Sequence, residues 1–383
     1  MGFSCQMDLY LANSQKYAWF DNCNEQYLGK VTPKGTYEAW YENIAKEVVK
    51  YPLTAFATMC SFGAPLLQLV DLSSMFFHFC GKSSRGKTML LQLATSVHAN
   101  GIDPNVDGLN TFIEKWNTTN AGLETIARLF DGGMGAFDEL HMCDDKQFAA
   151  SIYTICSGTS KQRFTRKESG KISTPEKHAW KFLALSSGEQ SGFEKLSRND
   201  TENATLGRAI RFADIPVTGQ IFTDFEGVAL EPVEAEKLAS KLKEECGVNF
   251  GHAGRDFVQQ LLQLADSKES LKAEIDKEIQ VIFDRLTDGI DLQQEERRLM
   301  RHFAMIAVAG NYAVMFDILP MTEQRVFDTV CHVRDLWLSE MEHFHQQKAK
   351  KDDVAQVLAA WLSKNMTKFY PQYEPKAKAN CKG

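Results

Sequence analysis

Residues 81–88 read Gly81-Lys82-Ser83-Ser84-Arg85-Gly86-Lys87-Thr88, and no other segment constrains the chain as strongly. The apolar run Met75 to Cys80 precedes it, and Leu90, Leu93, Ala94 and Val97 follow at helical spacing. Strand, glycine-rich loop and helix in this order make a cradle for phosphate. Glycines let the backbone approach closely, its N–H groups converge, and the helix N-terminus adds its dipole. The pattern assigns nucleotide binding to Gly81, Ser83, Ser84, Gly86, Lys87 and Thr88. Lys87 is expected to reach the β- and γ-phosphates, and the Thr88 hydroxyl to ligate Mg²⁺. A chance Gly/Ser turn is the bland alternative, and the flanking strand and helix argue against it.

Such a loop needs acidic and polar partners. Met134-Gly135-Ala136-Phe137-Asp138-Glu139 is a short run ending in two acids. Asp138 fits a group that holds Mg²⁺ through water and Glu139 one that polarises the attacking water. The strand reads as weak, because Gly132, Gly133, Gly135 and Ala136 stand where bulky aliphatics are expected. Further on, the run Trp180 to Leu185 leads into Ser186-Ser187-Gly188-Glu189. A hydroxyl at this strand end can hold water or the terminal phosphate; Ser187 is the first candidate and Ser186 the neighbour.

Apolar runs and helical patterns alternate between Ser73 and about Val228, which predicts an α/β domain on a mostly parallel sheet. After Glu231 the pattern turns helical, with helices expected near 232–246, 254–285, 293–317, 322–347 and 353–368. The expected division is a lead segment over 1–50, the core with a β-hairpin insertion over 51–230, a helical lid over 231–370 and a loose tail over 371–383. With 383 residues and a net charge of -7, the chain does not carry a basic coat over its whole surface. Nine scattered cysteines without a CxxC pair point to reduced thiols and the cytoplasm. No signal peptide, lipid anchor or membrane span is read, and Met300 to Met315 reads as a buried helix. The nine histidines show no zinc-ligand spacing, and no GxSxG elbow occurs.

The order of these parts resembles one family. Gly81–Thr88, Asp138-Glu139, Ser157-Gly158-Thr159-Ser160-Lys161-Gln162-Arg163, Leu185-Ser186-Ser187-Gly188-Glu189 and Gly207-Arg208-Ala209-Ile210-Arg211-Phe212 are similar to the AAA+ helicase-like ATPases of uncharacterised function carried by phages, plasmids and genomic islands. These are related to minichromosome-maintenance helicases. The resemblance implies a P-loop AAA+ ATPase core followed by an all-helical lid. It also implies a homohexamer that uses ATP and Mg²⁺ to translocate on DNA, single-stranded in a central pore, for replication of a mobile element. Arg211 matches the arginine presented to a neighbouring subunit's γ-phosphate, with Arg208 as alternative. Arg298 is the nucleotide-sensing candidate in the lid, with Arg301 as alternate. No primase domain or clear terminal DNA-binding domain is recognisable, so any such function is expected either on a primase or replication-initiator partner or in sequence beyond this chain.

Residues 161–173 hold two strand-like runs about a Ser-Gly turn and predict a basic β-hairpin. In the related helicases a hairpin here points into the pore, which implies DNA-backbone contacts from Lys167 and Lys171. A solvated basic loop is the alternative. Two further readings compete with the motor: an ATP-dependent switch or loader that binds DNA or a partner without unwinding, and a small-molecule kinase. The kinase leaves the hairpin and the long helical part without a role.

Overall fold

A computed structural model describes residues 25–160, 165–166, 172–173, 178–197 and 211–365. The chain divides into two compact units, Met1–Trp337 and Leu338–Gly383. The first opens with helix α1 (Glu25–Val31) and a helical run α2 over residues 37–48 that includes a π turn at Tyr41–Ala45. Then follow α3 (Pro52–Leu67), β1 (Met75–Cys80), α4 (Lys87–Ser96), β2 (Glu114–Lys115), α5 (Asn120–Leu129) and β3 (Met134–Asp138). After these come α6 (Asp145–Cys156), β4 (Thr165–Arg166), β5 (Ile172–Ser173), β6 (Leu183–Gly188), α7 (Gly192–Ser197) and β7 (Phe212–Pro216). Helices α8 (Pro232–Val248), α9 (His252–Leu261), α10 (Lys268–Thr287), α11 (Gln294–Met315) and α12 (Glu323–Asn365) complete the chain. The second unit is helical as far as Asn365, and no helix among the described residues is long and apolar enough to cross a membrane.

Five strands form a parallel sheet in the order β2-β3-β6-β1-β7. Strands β1, β3 and β6 are buried throughout, as a parallel sheet covered on both faces requires. Side-chain alternation sorts their residues into two different cores. Phe76, Phe137, Phe182 and Phe212 join Trp116, Phe130 and Phe148 in an aromatic cluster beneath α5 and α6. On the other face Phe77 meets Phe56 of α3 and Phe303 of α11, each at a centroid separation of 5.2 Å. Every residue of α3 is buried, because the helix is sandwiched between the sheet and α11.

Three expectations need correcting. The strand expected to begin at Trp180 and run into Ser186-Ser187-Gly188-Glu189 spans Leu183–Gly188, because the Trp180 amide is already bonded to the Gly158 carbonyl and Phe182 N to Ser74 Oγ. The helix expected over 254–285 is two, parted at Ser267, whose hydroxyl caps α10 by accepting from Ser270 N. The helices expected at 322–347 and 353–368 are one, because no glycine or proline interrupts residues 348–352.

The weak strand is a regular one. A Cβ at Gly135 would stand 2.6 Å from Phe130 Cδ2, so the glycine makes room for the ring of the aromatic core. Strands β4 and β5 pair antiparallel, Thr165 with Ser173 and Arg166 with Ile172, in the segment predicted to form a hairpin.

Candidate active site

Because β1, β6 and β3 are parallel neighbours, the loops that follow them emerge side by side at one edge of the sheet. The loop after β1 is shaped by two glycines. Gly81 holds φ +147°, and a Cβ there would lie 2.6 Å from the Val217 carbonyl. Gly86 holds φ +89°, and a Cβ would lie 2.8 Å from the Ile221 side chain. Gly86 is also the N-cap of α4 and offers no side chain to its first-turn N–H groups, which leaves them for an anion. Between them Ser84 is held at φ +60°.

Lys87 is buried, and its Nζ donates to the Lys82 carbonyl at 2.7 Å, so the side chain folds back over its own loop. Burial lowers its pKa, against which the Glu189 and Asp138 carboxylates act. At the next residue, Thr88 Oγ1 lies 3.2 Å from Asp138 Oδ1 and 3.3 Å from Oδ2. Ser187 Oγ donates to Asp138 Oδ1 from the neighbouring strand. Asp138 is buried, and desolvation raises its pKa despite the Ser187 and Thr88 hydrogen bonds. The next residue, Glu139, stands at φ +60° with its carboxylate 3.8 Å from Lys115 Nζ. Lys115 also donates to Asn105 Oδ1 at 2.7 Å.

These residues face a cleft of about 720 Å³. A hydroxyl and a desolvated carboxylate are the oxygen donors a hard divalent cation takes, and a buried lysine beside open N–H groups suits a polyphosphate. The donor set therefore fits Mg²⁺ and a nucleotide: Thr88 and Asp138 would hold the metal, and Gly81 to Thr88 the phosphates.

The structure brings Gly86, Lys87, Thr88, Asp138, Glu139 and Ser187 to one cleft, with Ser83 and Ser84 on its rim. It also separates the two serines: Ser187 faces Asp138, while Ser186 points through the opposite face and accepts from Trp116 Nε1 at 2.9 Å. Arg298 is not brought here. His302, one turn further along α11, bonds to the Ser73 carbonyl just ahead of β1, which puts exposed Arg298 at the other end of that strand from the loop. Arg211 likewise precedes β7, with its guanidinium 5.9 Å from the Tyr153 ring. Lys167 and Lys171, and the alternative Arg208, lie outside the described residues.

Sequence reasoning missed part of the wall. Ile221 and Phe222 after β7, Ile221 packed against Gly86 of the loop, line the cleft together with Ala235, Ala239 and Lys243 of α8. Lys243 Nζ lies 3.4 Å from Asp103 Oδ2. No local motif marks these positions; they reach the cleft because α8 packs along α4.

Residues 5–175 match a family model described as a domain of unknown function, DUF927. No curated protein matches the chain. Among solved structures, one described as "SCCmec type IV Cch - active helicase" is similar over 95% of this chain, with a TM-score of 0.58 and 19% identity. The chain spans 61% of that protein's length. The two share a fold.

Proposed function

We propose that this chain is the ATP-hydrolysing part of a DNA helicase or translocase, working as a homohexamer in replication of a mobile genetic element. The convergence of Lys87, Thr88, Asp138 and Ser187 at one sheet edge is the observation that carries the reading. The likeness in fold to a helicase from a mobile element and the P-loop AAA+ resemblance support it. In this reading Lys87 turns from the Lys82 carbonyl to the β- and γ-phosphates, while Thr88 and Asp138 hold Mg²⁺. The metal, when bound, offsets charge on the phosphates as the terminal bond breaks. Ser187 holds the attacking water or the γ-phosphate, and Glu139 polarises the water once its carboxylate leaves Lys115. Arg211, which does not line its own cleft, serves in this reading the cleft of a neighbouring copy, a contribution of about 10³–10⁵-fold in rate. Lys167 and Lys171 grip the DNA backbone.

The Lys115–Glu139 pair favours a second reading, an ATP-dependent switch or loader that hydrolyses slowly and does not unwind. Mg²⁺-dependent ATP hydrolysis, measured with and without single-stranded DNA, separates the two. The motor requires stimulation by DNA that the Lys167→Ala/Lys171→Ala double change removes while the basal rate survives. Hydrolysis indifferent to DNA in the wild type refutes the motor and leaves the switch.

A further inference from the structure

A chain of buried polar groups crosses the sheet on the face away from Ser187. Trp116 Nε1 lies 2.9 Å from Ser186 Oγ, Ser186 Oγ lies 2.9 Å from His78 Nδ1, and His78 Nε2 lies 3.0 Å from the Gln190 carbonyl. His78, Ser186 and Trp116 are all buried. Chemistry fixes the direction of each hydrogen bond. An indole only donates, so Ser186 Oγ accepts from Trp116 and gives its own proton to His78 Nδ1. A carbonyl only accepts, so His78 carries its proton on Nε2 and donates to Gln190. Burial brings the imidazole pKa down to about 4, and the ring stays neutral around pH 7.

Polar groups are costly to bury, and three apolar side chains fill the same space at less cost. What this chain adds is geometry. Ser186 and Ser187 are adjacent residues with opposite side-chain directions, so the bonds that anchor Ser186 also anchor the stretch of backbone from which Ser187 projects toward Asp138. The turn after β6 is held as well: His78 ties down the Gln190 carbonyl, and a Cβ at Gly188 would lie 3.0 Å from His78 Cε1. That turn carries Glu189, which lines the cleft. We infer that Trp116, Ser186 and His78 are positioning residues that set Ser187 and the Gly188–Gln190 turn against Asp138 and the terminal phosphate. The inference rests on the ATPase reading above and adds residues that touch neither nucleotide nor metal.

The test uses the full chain with Ser186→Ala, which removes the hydroxyl at nearly constant volume, and Ser186→Thr, which keeps it. Steady-state hydrolysis of ATP with Mg²⁺ gives kcat and KM, and nitrogen NMR of the histidines reports the tautomer of His78, identified by its loss in His78→Gln. Ser186→Ala is expected to lower kcat about tenfold with KM for ATP within about twofold, as misplacement of a group at the reacting end predicts. Ser186→Thr is expected to recover most of the loss, and wild-type His78 to show its proton on Nε2. An unchanged kcat in Ser186→Ala, an equal loss in Ser186→Thr, or a proton on Nδ1 overturns the inference while the ATPase reading stands. A wild-type chain that neither binds nor hydrolyses ATP overturns the ATPase reading itself, and the positioning role falls with it.

Discussion

The two ends of the sheet are built differently. At the end where the strands begin, backbone and side chains are cross-tied. Phe76 N bonds to the Arg211 carbonyl, Phe182 N to Ser74 Oγ, Lys181 N to Asp131 Oδ1, and His302 to the Ser73 carbonyl. Gln68 and Lys181 add side-chain bonds to carbonyls across the same edge. At the end where the strands finish, the backbone enters positive φ at Gly81, Ser84, Gly86 and Glu139, and a lysine and an aspartate lose solvent. The first end is tied by bonds to the backbone, and at the second the polar side chains Lys87, Thr88, Asp138, Glu139 and Ser187 gather around a cleft. Burial shifts titratable groups at both ends, Lys181 and His302 included, but the non-glycine residues at positive φ beside the sheet, Ser84 and Glu139, stand at the second end, next to buried Lys87 and Asp138.

If that contrast is sound, substitutions at the two ends should separate activity from stability. The largest effect is expected from Lys87→Ala, a loss of ATP hydrolysis of about 10²-fold or more with weakened nucleotide binding. Its melting temperature should hold or rise, because a desolvated ammonium is removed. A fall in melting temperature together with unaltered hydrolysis breaks the comparison. Ser187→Ala comes next, with hydrolysis reduced about tenfold and ATP affinity retained, read as a fall in kcat at constant KM.

The opposite result is expected where the strands begin. His302→Ala removes a buried imidazole whose two nitrogens face the carbonyls of Ser73 and Arg298, one of which accepts its N–H. Thermal or denaturant unfolding should show a loss of about 1–3 kcal/mol, while KM for ATP stays at the wild-type value. An altered KM shows that the two ends are mechanically coupled through β1.

What was legible in the sequence follows the same division. The glycine-rich loop could be read because its chemistry sits in eight consecutive residues, and Asp138 and Ser187 because each ends an apolar run. The strength of β3 could not be read, because Gly135 is small to fit Phe130, a requirement of packing that strand propensity does not contain. Part of the cleft's wall was hidden because Lys243 and Asp103 meet only through the packing of α8 on α4. The distance of Arg298 from this cleft was hidden for a related reason: helix periodicity gives its face on α11 but not the end of β1 beside which the helix starts.

The smallest expected effect concerns Asp138 and turns on pH. Burial raises its pKa above the usual aspartate range, so the native state holds the proton more tightly than the unfolded chain does. This contribution to stability is therefore fully present below the unfolded value and is lost as pH rises through the folded one. At neutral pH without metal the buried carboxylate is a net cost, offset in part by the hydrogen bonds from Ser187 and Thr88. Asp138→Asn keeps an Oδ1 acceptor and removes the charge. In metal-free buffer at pH 7 it should unfold about 1 kcal/mol later than the wild type, with the gap closing as pH is lowered into the carboxylate range. Adding Mg²⁺ and nucleotide should narrow the gap from the other side, since only the wild type gains the ligand's binding energy. A gap that ignores both pH and Mg²⁺ shows that the carboxylate is not the strained element of the cleft's edge, and the contrast between the ends then rests on the backbone alone.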